Sequence, residues 1–237
     1  MALPKLGYPT YELELPSSGK TVKYRPFLVK EEKVLLMALE GGDEKATTNA
    51  VKDLLKNCVV SRIKVDQLPS FDLEYLFLKI RAASIGEIIN LTVTCLDDNK
   101  TEVEATININ EIEVFKPEGH DPKIMFDEKT GIVMKYPSMK QFVEREFLQK
   151  DMKTEDVYDF ISESIDQIFD DEEVYDSSTT TKKEFRTFVD GLTTKQFEKI
   201  QQFYITAPKL RHKFTVTNPN TGKESEYTLE GLQSFFA

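Results

Sequence analysis

Two hydrophobic periods divide this chain, and they come in blocks instead of alternating. "YELEL" (11–15) and "TVKYRPF" (21–27) alternate with period two on either side of "PSSG", which predicts a β-hairpin. Three stretches of helical period follow in succession. The first is "LVKEEKVLLMALEGG", with Leu28, Glu31, Glu32, Leu35, Leu36 and Leu39 at helical spacings and Gly41-Gly42 as its stop. The second is "TTNAVKDLLKNCV", with Val51, Leu54, Leu55 and Cys58 on one side. The third lies within "LPSFDLEYLFLKIRAASIGE", where Ser70 reads as the N-cap, Gly86 closes the helix, and Leu73, Leu76, Phe77 and Ile80 line the inward face. Period two returns in "IINLTVTC" and "EVEATINI" around the turn "LDDNKT", a second hairpin over 88–109. A parallel βαβ sheet needs strands alternating regularly with helices. This order predicts an α+β fold with antiparallel sheet pieces.

The remainder continues the blocks. "IEVFKPEGHDPKIMF" reads as edge strand and loop, "DEKTG" as a turn, and Ser138 as the cap of a helix containing Met139, Phe142, Val143 and Leu148. Val157, Phe160, Ile161, Ile165, Ile168 and Phe169 predict the buried side of one or two helices. "DDEEVYDSSTTT" (170–181) is the best linker candidate. Two short helices follow, with Thr194 as the cap of the second, and then a strand, an "NPNTG" turn, a strand and a last short helix. Three regions result: 1–87, hairpin plus helices; 88–136, an antiparallel β-rich unit that can form one domain with the first; and 137–237, mainly helical.

Charge is concentrated. Of the net charge of −10, residues 144–176 hold 13 acids against 3 bases, whereas 177–237 hold 6 against 9. Such a segment repels nucleic-acid phosphate and attracts a basic protein. Glu155, Asp159, Glu163 and Asp166 are its candidate contact residues; a solvated acidic face is the alternative. The run Phe235-Phe236 ends an element too short to be stable alone. It must dock on its own domain or on a partner. No run of apolar residues is long enough for a membrane span, and the N-terminus lacks the apolar core of a signal peptide. Cys58 and Cys95 sit in apolar surroundings and read as buried thiols, which suits a cytoplasm.

Enzyme chemistry finds little support. "SSGKT" (17–21) ends like a phosphate-binding loop, but Glu14 stands where the opening glycine belongs, and a strand pattern follows it instead of a helix. His120 beside Asp121 could serve as a base in principle, yet no nucleophile lies nearby, and His120 reads as a surface loop residue. The "DDNK" and "DEKTG" turns break the calcium-loop pattern, and the two cysteines lack zinc spacing. No catalytic residue, cofactor or metal is expected; Lys20, His120 and Asp121 are the residues an enzyme reading would use.

Three stretches carry a resemblance: "LPSSGKTVKYRPFLVKEEKVLLMALE" (15–40), "QLPSFDLEYLFLKIRAASIGE" (67–87) and "YTLEGLQSFF" (227–236). Together they resemble the T4-type phage base plate protein family, over nearly the whole chain in order of elements and least over 144–176. The resemblance implies a hub subunit or hub-assembly factor of a contractile tail. It implies other tail or hub proteins as partners, no enzyme or cofactor, and synthesis in the host cytoplasm. Within the first matched stretch, Arg25, Lys30, Glu31, Glu32 and Lys33 are the candidate partner-contact residues. The same charges can instead satisfy one another on a helix surface.

Overall fold

The computed structural model describes residues 6–42, 44–138 and 154–231. The fold is α+β, with an N-terminal hairpin, helices, central antiparallel sheets, and a helical C-terminal part ending in another hairpin. Its contacts gather into two units, Met1–Phe115 with Lys209–Ala237, and Lys116–Pro208. This grouping by packing differs from the grouping by element type at 87 and 136, because the last two strands join the first unit.

In the first unit, β1 (Tyr11–Glu14) and β2 (Thr21–Tyr24) form the expected hairpin. Its turn is closed by the Leu15 N–H on the Lys20 carbonyl at 2.9 Å and needs Gly19 at φ +65°. The glycine of "SSGKT" thus reverses the chain between strands. Helices α1 (Val29–Glu40), α2 (Glu44–Cys58) and α3 (Ser70–Ile85) follow. Pro69 stands at the N-cap position of α3, so Ser70 is its first helical residue and not the cap.

Helix α3 buries more than one face. Leu73, Leu76, Phe77 and Ile80 are buried as expected, but so are Phe71, Leu78 and Asp72. A helix apolar on nearly all sides belongs inside a domain. Leu78 packs in a cluster with Ile89, Leu91, Ile107, Ile109, Ile112 and Leu210. These come from the hairpin β3 (Ile88–Thr94) and β4 (Glu102–Asn108), the turn after it, and a three-stranded sheet. In that sheet β5 (Glu113–Phe115) pairs antiparallel with β10 (Lys209–Thr217), and β10 with β11 (Glu224–Glu230).

Among the described residues the second unit is a four-stranded antiparallel sheet with three helices. The strands are β6 (Lys123–Met125), β7 (Gly131–Met134), β8 (Ile165–Phe169) and β9 (Val174–Asp176), in spatial order β6-β7-β8-β9. The helices are α4 (Thr154–Glu163), α5 (Lys182–Asp190) and α6 (Thr194–Ile205). Their core holds Ile132, Met134, Ile161, Ile165, Phe185 and Phe203. At Gly131 a Cβ would stand 2.6 Å from both the Ile124 carbonyl oxygen and the Phe169 ring, so the sheet closes only around glycine.

Two expectations are corrected here. Ile165, Ile168 and Phe169 belong to a strand, not a helix. The stretch 170–181 is not a linker, since it contains the β8–β9 turn, strand β9 and the start of α5. The cause of the first is a β-bulge: Val133 pairs with Gln167 but Met134 with Ile165, leaving Asp166 as the extra residue. Inward residues on β8 are therefore three apart, which imitates the i,i+3 spacing of a helix. The helix expected over 139–148 and the one expected after Gly231 lie outside the described residues.

Candidate functional site

Arg25 and Glu31, expected at a partner surface, lie inside the first unit. Their side chains are only 8% and 4% exposed. The Arg25 Nη2 donates to Glu31 Oε1 at 3.0 Å, and its Nη1 to the Pro26 carbonyl at 2.8 Å and to Cys58 Sγ at 3.8 Å. The Tyr8 ring covers the guanidinium with its centroid 5.2 Å away. The other Glu31 oxygen accepts the Leu28 N–H at 2.6 Å, closing the N-terminus of α1. Burial alone would raise the Glu31 carboxyl; the bonds from Arg25 and Leu28 outweigh it and hold it below its ordinary value. Lys30 and Lys33 are exposed and Glu32 half-buried. Arg25 and Glu31 are therefore a structural clasp between β2 and α1, and the surface part of the run is Lys30, Glu32 and Lys33.

Some of the acidic residues of the second unit are engaged by its own cations. Arg186 on α5 meets Glu155 at 2.7 Å, Asp159 at 2.6 Å and Asp190 at 3.0 Å, and lies over the Tyr158 ring. Lys182 pairs with Glu163 at 2.9 Å, and Lys129 pairs with Asp171. Asp166, the bulge residue, is exposed and has no ion-pair partner among the described residues. Phe235 and Phe236 lie outside the described residues.

Lys20 begins the return of the first hairpin, in the first unit, while His120 and Asp121 belong to the second. Asp121 accepts the Lys123 N–H at 2.8 Å. Among the described residues no three His, Cys, Asp or Glu side chains group to hold a metal. Among the same residues no helix is long and apolar enough to cross a membrane.

His120 is not the surface residue expected; it is 7% exposed. Its ring stacks on Tyr136 and Phe203, with centroids 5.6 and 5.2 Å away. Nδ1 lies 2.9 Å from the Thr206 hydroxyl, which already donates to the Gln202 carbonyl at 2.7 Å. Thr206 must therefore accept from Nδ1–H, which leaves Nε2 to accept from the Tyr136 hydroxyl at 2.8 Å. Burial, with Lys116 adding, holds the His120 pKa below its ordinary value against the opposing pull of Asp121. The folded state thus binds fewer protons than the unfolded chain. Stability from neutral His120 is full above the ordinary value of about 6.5 and is lost as pH falls through the lower folded value. Between about pH 7 and about pH 5, unfolding free energy is expected to fall in the parent and less steeply in His120→Gln. Urea titrations at several pH values measure both slopes, and equal slopes would refute the assignment.

Two polar networks escaped sequence reading. Asp72, fully buried on α3, accepts the Ser17 N–H at 2.9 Å and the Ser17 hydroxyl, pinning the first hairpin turn to the helix. The "DDNK" turn is tied to the β10–β11 turn. The buried Asn218 Nδ2 donates to Asp97 and Asp98 at 2.8 and 3.1 Å, and the Thr221 hydroxyl donates to Asp97 at 2.5 Å. Spacing across such distances in sequence leaves no local signal.

Fold and side-chain arrangement define an α+β protein whose conspicuous charges serve packing, capping and surface contact. Residues 8–237 match the family model described as T4 bacteriophage base plate protein, and the chain belongs to that family. Membership places it among the structural and assembly proteins of the phage tail baseplate. No curated protein and no solved structure matches the chain.

Proposed function

We propose that this protein is a non-enzymatic factor in assembly of the tail baseplate hub, made in the host cytoplasm and acting on a basic hub or tail protein. The observation that carries the reading is the acidic surface of the second unit. Residues 154–176 contain ten acids and no base. Their cation partners come from elsewhere in the unit and reach only some of them. Asp166 on β8, and Glu172 and Glu173 in the β8–β9 turn, stay exposed. A field of this kind speeds encounter with a basic partner while keeping affinity modest, which suits a factor that binds and releases.

The test is a tagged pull-down from infected cells, analysed beside purified particles. Recovery of hub or tail proteins is expected to drop as salt rises from about 0.05 M to about 0.5 M. Over the same range the melting temperature of the isolated protein is expected to hold or rise, because screening relieves its self-repulsion. Recovery that is indifferent to salt would remove the electrostatic partner. Presence of the chain in purified particles would make it a hub subunit instead of a transient factor.

A further inference from the structure

The outward face of α1 presents apolar side chains that the fold does not use. Of its twelve residues only Glu31 and Leu35 are buried. Val29 is 79% exposed, Met37 61% and Leu36 51%. With Lys33 and Glu40 they recur at spacings of three and four and so share one side of the helix. Soluble monomers rarely gather exposed large apolar residues this way, and such patches mark contact sites.

The charges on this face indicate what covers it. Its ionisable residues, Lys30, Glu32, Lys33 and Glu40, sum to zero in a chain of net charge −10. The face is therefore a neutral area on an acidic molecule and gains nothing from a strongly basic partner. Glu40 closes α1 where the helix dipole disfavours an anion, and the last turn holds no basic residue. At the other end Lys30 is 74% exposed and only 3.5 Å from Glu31, whose carboxylate is already held by Arg25 and the Leu28 N–H. The first turn thus carries an exposed base and the last turn has none. A second copy laid antiparallel brings Lys30 to Glu40 twice, opposes the two helix dipoles, and places Lys33 over Met37 with Leu36 at the centre.

We propose that α1 is the seam of a two-fold antiparallel dimer of this chain. The surface belongs to the first unit and is independent of the acidic surface argued above. One helix face covers less than the roughly 800 Å² per partner of a standard interface, so pairing is on the order of micromolar. Light scattering or sedimentation of the whole chain between about 1 and about 200 µM is expected to show mass rising from one chain toward two. Met37→Asp should hold it monomeric with an unchanged thermal melt, since Met37 is exposed. Lys30→Glu and Glu40→Lys should each weaken pairing about three- to tenfold, and the double exchange should restore it. A monomer at every concentration would overturn the proposal. So would a dimer that survives Met37→Asp, or a double exchange no better than either single one.

Discussion

Glu31→Ala is expected to lower the unfolding free energy by about 3–5 kcal/mol, because it strands the Arg25 guanidinium in the interior without its counter-charge. It also frees the Leu28 N–H at the start of α1, which no other side chain among the described residues takes. Leucine cannot accept a bond in return, so Glu31 is the whole of the cap here. The loss should appear as a shifted urea midpoint at neutral pH. Because the Glu31 carboxyl sits below its ordinary value, its contribution is complete above about pH 4.3 and fades as pH falls through the folded value. The parent and Glu31→Ala stability curves should therefore converge in acid. Lys33→Glu, two residues on and exposed, should leave the melt nearly unchanged. A Glu31→Ala protein within about 1 kcal/mol of the parent would show that the buried pair does not hold β2 to α1.

Phe77→Ala is expected to cost about 3–5 kcal/mol, the sum of lost transfer energy and an unfilled cavity. The ring is 1% exposed, on a helix with Leu76 and Ile80 fully buried beside it and Leu78 packed into the cluster of β3, β4 and β10. Neighbours fixed on several sides cannot close over a void, so the upper part of that range applies. Phe77→Leu, which keeps more of the volume, should recover much of the loss. A cost near that of an exposed substitution in Phe77→Ala would contradict the burial of α3.

How much was legible in the sequence follows from where each signal lay. The hairpins at 11–24 and 88–108 were plain, since alternation and turn residues are local. So were the three consecutive helices. The i,i+3 spacing of Ile165 and Ile168 misled because the bulge at Asp166 alters the strand period, and a bulge exists only against its partner β7. The start of α6 was missed by one residue. Thr193, not Thr194, caps it, with Gln196 three residues on completing the capping box. That signal is local, since the Gln196 amide closes the box as an acid would. Arg25 and Glu31 drew attention for their charge, yet nothing local shows that both turn inward. Their burial depends on Cys58 and Tyr8, which are brought there by the fold. His120 owes its burial to Phe203 and Thr206, again far along the chain.

The first unit is interrupted: its strand β5 finds its neighbour β10 only after the whole of residues 116–208 has passed. During synthesis at about 5–20 residues per second, several seconds separate the two strands at the ribosome. In that interval Ile109 and Ile112 wait without Leu210, which later seals their cluster. The inserted segment emerges whole within the same interval. Vectorial synthesis therefore gives the inserted unit time to form before the outer one can close. The outer unit, with its α1 seam, becomes complete only once the ribosome has delivered β10.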